Sequence, residues 1–204
     1  MPPSRNDADD ADELRVAVEI ADTDAEGPGR RYAIWVQGCP MRCPGCCNPE
    51  FLPARGGRAS SSAALIERVL AARQRSPIEG VSLLGGEPFA QAAGLAPVAE
   101  ALRAVGLSVM IYSGYTLAEL EAMPEPAVGR LLAACDLLVD GRYERDQPDR
   151  ERRWIGSRNQ TLHVFGDRYA LDDPRFRARE TVEIRLSRGE VTVNGWPWEK
   201  KGLP

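Results

Sequence analysis

Nowhere does this 204-residue chain approach the ~18 consecutive apolar residues of a membrane span, and its acidic start has neither the basic nor the apolar segment of a secretory signal. No membrane association is expected, and the chain reads as soluble and cytoplasmic. It also lacks a basic excess. Its 26 Lys and Arg stand against 30 Asp and Glu, a formal charge of −4, which excludes a strongly basic nucleic-acid footprint. That charge sits in residues 1–13, where five acids (Asp7, Asp9, Asp10, Asp12 and Glu13) face one base, Arg5; the remainder is balanced. A dispersed, even set of cysteines is missing too: there are five, and Cys39, Cys43, Cys46 and Cys47 crowd into nine residues. Such crowding is a poor disulfide framework but suits a metal or cluster.

What is present is an alternation of strand and helix signals. Residues 1–13 have little to bury and read as a disordered tail; the length then allows one domain over 14–204, with a C-terminal extension from about residue 171. Apolar residues alternate over 14–20, and after the Gly27-Pro28-Gly29 turn a second strand over 32–36 runs into the cysteine loop. Ser60, Ser61 and Ser62 can cap a helix with an apolar face of Leu65, Val69 and Ala72, ending before Pro77. A strand over 81–84 follows, then a helical stripe of Leu95, Val98, Leu102 and Val105 stopped by Gly106, and a strand over 107–112. Thr116 and Glu119 have capping-box spacing for a helix ending at Pro124; Leu131 and Leu132 belong to a short helix, and 137–140 is a strand. Alternation of this kind predicts an α/β fold with right-handed crossovers and a parallel sheet, and the length allows only a partial, open β/α barrel. Residues 144–153 read as a solvated mixed-charge loop, and Val182 to Val193 as a β-hairpin turning at Ser187-Arg188-Gly189.

Two features carry chemistry. Cys39, Cys43 and Cys46 lie in a loop with Pro40, Pro44 and Gly45 that can aim three soft ligands at one place. A structural zinc would need a fourth ligand from Cys47, Cys135 or His163, whereas three thiolates on a four-iron cluster leave one iron open to a reacting molecule; spacing alone leaves both possible. The second feature is Gly85-Gly86-Glu87-Pro88 at the carboxyl end of a strand, the edge where β/α folds bind ligands. Its backbone carbonyls and Glu87 suit an ammonium group. Elsewhere, Cys135 and Trp35 read as core, His163 as a structural imidazole, and Trp196 and Trp198 as a cover for the barrel or a partner contact. Tyr112 and Ser113, at another strand end, stand where they could touch a nucleoside.

With these residues in this order, the sequence resembles the radical S-adenosylmethionine superfamily and, within it, the activating proteins of anaerobic ribonucleoside-triphosphate reductase. The likeness runs through Gly27-Pro28-Gly29, residues 38–48 and 80–88, Ser113-Gly114-Tyr115, Val139-Asp140-Gly141 and residues 156–160. The resemblance implies that Cys39, Cys43 and Cys46 hold a [4Fe-4S] cluster whose open iron takes the amine and carboxylate of S-adenosylmethionine. Gly85, Gly86 and Glu87 would receive the amino group, while Gly45, Cys46, Cys47 and Ser113 line the cofactor. It further implies reductive cleavage to a 5′-deoxyadenosyl radical, a glycyl radical enzyme as partner and a flavodoxin- or ferredoxin-type electron donor. Action on a small metabolite or peptide, and a zinc-stabilised interaction module, are the alternatives. The chain departs from the family where an aromatic residue commonly follows the last cluster cysteine, here Cys47, and around Ile155 and Arg158.

Overall fold

A computed structural model describes residues 13–177, 181–187 and 189–195. The expected tail, apart from Glu13, and both Trp196 and Trp198 lie outside the described residues. Glu13 is not tail: it opens strand β1 (Glu13–Thr23) and pairs with Ser61. The other strands of the main sheet are β2 (Arg31–Val36), β3 (Arg58–Ser61), β4 (Gly80–Gly85), β5 (Ser108–Tyr112), β6 (Leu137–Asp140) and β7 (Thr161–Val164). They form one seven-stranded sheet in the order β3-β1-β2-β4-β5-β6-β7. The sheet does not close, since β3 and β7 are its edges. β2, β4, β5 and β6 are parallel, as the alternation predicts.

The expectation of a parallel sheet holds only for that centre. β1 joins β2 through a short turn rather than a helix and so runs antiparallel to it; β3 and β7 also pair antiparallel. β3 escaped the sequence reading because Arg58-Ala59-Ser60-Ser61 has almost no apolar content. Its serines signal the helix start instead: Ser61 Oγ accepts the Ala64 N–H at the head of α1 (Ser62–Arg75). The helical stripe at residues 95–105 forms α2 (Ala92–Ala104), which stops one residue before Val105. The Gly106 and Leu107 N–H groups close on the Arg103 and Leu102 carbonyls, leaving Val105 exposed rather than on the stripe. The Thr116–Glu119 capping box opens α3 (Leu117–Glu121), and α4 (Pro126–Ala133) follows.

The pleat divides the core. Val81, Leu83, Val109, Ile111 and Leu138 face Leu65, Val69, Leu95, Val98, Leu102 and Leu131 of the helices. The alternate residues turn to the helix-free face, where Met110, Leu137 and Val139 meet Trp154, Ile155, Tyr169 and Phe176, and Leu84 meets Trp35 and Ile20. At the centre of the sheet Arg31 is fully buried. Its guanidinium donates only to neutral oxygens: Ser82 Oγ, Ser108 Oγ and the Pro28, Val81 and Ser108 carbonyls. One of these bonds ties down the Gly27-Pro28-Gly29 turn.

A separate two-stranded ribbon, β8 (Glu183–Ser187) and β9 (Glu190–Asn194), is the expected C-terminal hairpin. No helix among the described residues is long and apolar enough to cross a membrane.

Candidate active site

At the carboxyl ends of β4, β5 and β6 the helix-free face opens into a cavity of about 550 Å³, a volume ordinary for a small-molecule site. Its walls include Cys39, Cys43, Cys46 and Cys47, the strand ends Gly85-Gly86-Glu87, Tyr112-Ser113-Gly114 and Val139, and Trp35.

The cysteine loop is closed at its base by two backbone bonds, Gly38 N–H to Phe51 O (2.8 Å) and Cys39 N–H to Leu52 O (3.1 Å). The Gln37 side chain braces it through the Glu50 and Pro53 carbonyls. Within the loop the chain takes positive φ at Arg42 and Gly45, which lets it wrap. All four cysteines are free thiols; Cys39, Cys43 and Cys46 are half-buried and Cys47 is exposed. Among the described residues no three Cys, His, Asp or Glu side chains gather tightly enough for a single metal ion. All four thiols line the one cavity, and a polynuclear cluster takes each of its thiolate ligands on a different iron. Cys47 donates its S–H to Cys46, whose thiol is thereby pushed down to about 6, while Cys47 itself is pushed up. Burial raises Cys39.

The glycine pair at the end of β4 has a reason the sequence did not show. A Cβ on Gly86 would lie 2.2 Å from the Gly38 carbonyl oxygen, and one on Gly85, where φ is +104°, would lie 2.7 Å from Trp35 Cα. Both glycines are slim because the β4 end docks directly on the start of the cysteine loop, through Gly86 N–H to Val36 O and Glu87 N–H to Gly38 O. Glu87 is buried and accepts from three donors: the Phe89 N–H (3.0 Å), Ser113 Oγ–H (3.0 Å) and Gly114 N–H (2.8 Å). A carboxylate has about four acceptor positions, so roughly one remains. Burial pushes Glu87 up to about 7. The Ser113 hydroxyl is thus committed to Glu87, and it also accepts the Tyr115 N–H.

Of the residues expected to hold the cluster or touch the cofactor, the structure brings all but Gly45 to the cavity wall; Cys135 and His163 are not part of it. Gly45 faces outward, and its Cα is covered by Arg145, from the mixed-charge loop expected to be merely solvated. That loop is ordered at its far end, where Arg152 bonds Asp149 and the Arg158 and Gln160 carbonyls. The Gln160 side chain joins two of the quoted motifs, accepting from the Gly156 and Ser157 N–H groups and donating to Gly141 O. Cys135 is buried, with its S–H on Leu137 O, and His163 belongs to the edge strand β7, its ring stacked on Phe165 with Nε2 3.0 Å from Asp140 Oδ2 but off the line of a hydrogen bond. Trp35 is both core and wall.

Sequence reasoning missed three contributors. Trp154 reaches the cavity with its indole N–H on Ala25 O, and Glu26 lies beside it, buried and pushed up to about 6 by that burial. The hairpin supplies the third, Val191 to Gly195. Only the Gly-Pro-Gly turn after Glu26 hinted at its position.

The 4Fe-4S single cluster domain family matches residues 25–163, which include every cysteine. The anaerobic ribonucleoside-triphosphate reductase-activating protein of Vibrio cholerae is 32% identical over 146 residues, 68% of this chain and 90% of that protein. Its namesake in Escherichia coli K12 is 30% identical over 143 residues, 67% of this chain and 90% of that one. That of phage T4 is 28% identical over 141 residues, 67% and 85% of the respective chains. Among solved structures, QueE from Escherichia coli superposes with a TM-score of 0.42 at 21% identity, over 51% of this chain and 54% of that one. On the family match and the two relatives at 30% identity or more, the chain belongs to the 4Fe-4S single cluster domain family, among the anaerobic ribonucleoside-triphosphate reductase-activating proteins.

Proposed function

We propose that the chain is a cytoplasmic radical S-adenosylmethionine enzyme that installs a glycyl radical on an anaerobic ribonucleotide reductase. The observation that carries this reading is the position of Cys39, Cys43 and Cys46, on a loop tied shut at its base, in the wall of a cofactor-sized cavity at the carboxyl edge of the parallel strands. When bound, a low-potential [4Fe-4S] cluster supplies the electron for reductive cleavage of S-adenosylmethionine, whose product abstracts hydrogen from a glycine of the partner.

The chain's own residues hold and orient. Cys39, Cys43 and Cys46 are the cluster ligands. Cys47 donates its S–H to Cys46, which lowers the Cys46 thiol and favours the thiolate form that binds iron. The Gly85, Gly86 and Glu87 corner receives the cofactor ammonium, and a cation beside Glu87 favours its ionised form against the burial that opposes it. Ser113 acts through Glu87, fixing its carboxylate. Trp35, Leu84 and Val139 give the cavity dry walls. A reduced flavodoxin or ferredoxin supplies the electron.

Anaerobic reconstitution with iron and sulfide tests this reading. The expected result is about four irons per chain, 5′-deoxyadenosine on adding dithionite and S-adenosylmethionine, and a glycyl signal by electron paramagnetic resonance once the reductase of the same organism is present. A colourless protein carrying one zinc would overturn it.

A further inference from the structure

The tip of the cysteine loop has little of its own to hold it. Its base is bonded to the body at Gly38 and Cys39, but the one backbone bond that residues 40–47 make, Cys46 N–H to Cys43 O (3.1 Å), is internal. That stretch carries Cys43 and Cys46, and it bends through positive φ at Arg42 (+48°) and Gly45 (+75°). Two side chains hold it instead. On the cavity side Met41 lies against the end of β5, where a Cβ on Gly114 would stand 2.8 Å from Met41 Cγ. On the outer side Arg145 lies on Gly45: the three atoms nearest a Gly45 Cβ are Arg145 Cδ (2.7 Å), Cβ and Cγ (both 3.3 Å). The contact is therefore made by the aliphatic stem, and the guanidinium has no hydrogen bond or ion pair among the described residues.

Arg145 stands on a built support. Residues 142–147 form a strap after β6, turned by Gln147 N–H to Glu144 O (3.0 Å). The strap is tied along its length to residues 156–160: Asn159 Nδ2 donates to Arg142 O (2.7 Å), the Glu144 N–H to the buried Ser157 Oγ (3.0 Å), and the Arg158 N–H to Gln147 O (2.8 Å). The Tyr143 ring closes on Gly156, where a Cβ would come within 3.1 Å of it. Gln160, which joins Gly156 and Ser157 to Gly141, fixes this platform to the start of the strap. The mixed-charge loop and the 156–160 motif, which the proposed chemistry leaves unused, are thereby connected to the peptide between Cys43 and Cys46.

We propose that Arg145 is a positioning residue for the cluster: its stem, braced by the 156–160 motif, presses on Gly45 from outside and holds Cys43 and Cys46 at the separation that a [4Fe-4S] cluster requires. The inference rests on the proposed cluster and names the residue that shapes its ligand loop. Ligands that must each meet a different iron depend on the groups behind them for their spacing. An arginine suits this exposed place because its methylenes can cover a glycine peptide while its charged head stays in water. Without the stem, the tip keeps no outer contact and opens locally while the rest of the fold stays closed.

The test uses the full chain with Arg145→Ala and with Arg145→Met, which removes the same charge but keeps an unbranched stem; Arg150→Ala, exposed in the same loop, is the control. In cluster-free protein, each cysteine is followed by mass spectrometry as iodoacetamide alkylates it at one fixed pH. Arg145→Ala is expected to speed alkylation of Cys43 and Cys46 on the order of fivefold while Cys39, at the tied base, keeps its wild-type rate; Arg145→Met and Arg150→Ala should stay within about twofold of wild type. After anaerobic reconstitution, Arg145→Ala should hold about half the iron of wild type or less, and after brief exposure to air a larger share of its signal in electron paramagnetic resonance should come from a three-iron cluster, with Arg145→Met restoring both. Equal alkylation rates and iron content in all variants overturn the inference. So does an Arg145→Met protein that behaves like Arg145→Ala, which would assign the effect to the charge. A rise at Cys39 equal to that at Cys43 also overturns it, by assigning the contact to the fold as a whole. If wild type takes up no four-iron cluster, the cluster reading fails by itself, and the alkylation pattern still decides the contact: faster reaction confined to Cys43 and Cys46 in Arg145→Ala supports the hold on the loop, and unchanged rates refute it.

Discussion

Gly86→Ala separates two explanations of the glycine pair beside the cysteine loop. If the glycines are slim so that a ligand can approach the backbone, the cluster-free protein should tolerate the methyl group and only cofactor binding should suffer. The structure gives a different reason. The new Cβ would stand 2.2 Å from Gly38 O and 2.7 Å from Gly38 C, whereas ordinary contact begins at 3.4 Å, so the two backbones must part by about 1.2 Å. Neither partner is the flexible end of a side chain. Parting them stretches Gly86 N–H to Val36 O and Glu87 N–H to Gly38 O, now 2.8 and 2.9 Å, beyond hydrogen-bonding range. Two weakened backbone bonds at ~0.5–1.5 kcal/mol each, together with overpacking of ~1–3 kcal/mol, predict a loss of about 2–6 kcal/mol.

For a chain of this length each kcal/mol moves Tm by roughly 2–4 °C, so the cluster-free variant should melt about 4–24 °C below wild type by circular dichroism. It should also bind less iron, because Gly38 anchors the loop. The φ of Gly86 is not in the left-handed region, so the clash is the whole effect. Gly129→Ala in α4 is the control: nothing lies within 4 Å of its Cβ position, and alanine there should be neutral or add up to about 1 kcal/mol. A cluster-free Gly86→Ala protein melting within about 1 °C of wild type would refute the packing argument and restore the ligand one.

Cys47→Ala should retain a full complement of iron while returning the Cys46 thiol from about 6 towards the ordinary value near 9, read as the pH dependence of its alkylation in cluster-free protein; loss of iron would make Cys47 a ligand. Glu87 is raised by burial to about 7 from 4.5, so its contribution to stability is complete below pH 4.5 and is lost as pH rises through 7. Wild type should therefore lose on the order of 2–3 kcal/mol relative to Glu87→Gln between pH 4.5 and 7.5 in urea titrations, and a gap that is flat or grows in favour of wild type would contradict this. Arg31→Met leaves the Pro28, Val81 and Ser108 carbonyls without their charged donor and should lower the unfolding free energy by ~3 kcal/mol in the same assay; a neutral substitution would show that burying the charge costs as much as its bonds return.

The legible parts of this molecule are those where a local pattern determines the outcome. Thr116 and Glu119 cap α3 because both halves of the capping box lie within one helical turn, and the central strands are parallel because each is followed by enough chain for a helix to cross over. Cys39, Cys43 and Cys46 stand out as a candidate ligand set because a single loop carries all three. What stayed hidden depends on partners distant in sequence. β3 is a strand only because β1 offers it an edge; its own residues are polar. Gly86 is constrained by Gly38, 48 positions earlier. Glu26, in a run of polar residues, gave no sign of being buried, since what buries it includes Asn194 and Gly195, which are 168 and 169 positions away.

The hairpin shows this limit most clearly. Alternation of Val182, Ile184, Leu186, Val191 and Val193 identified two strands, and the usual expectation for such a ribbon is that its apolar face turns to the core. Here Glu183, Arg185 and Asn194 take the contact with the body instead, bonding the Asp24 N–H, the Asp22 carbonyl and the Thr23 hydroxyl, which no apolar face could satisfy. The orientation is therefore set by the hydrogen-bonding demand of the turn between β1 and β2, and the apolar residues are displaced outward to the cavity mouth as a result. Reversing the hairpin would take the Asn194 amide from the buried Thr23 and Glu26 side-chain oxygens, at a cost of about 1–3 kcal/mol for each buried group left without a donor. The same bonds that hold the ribbon to the body are thus what leave Ile184, Leu186 and Val191 exposed.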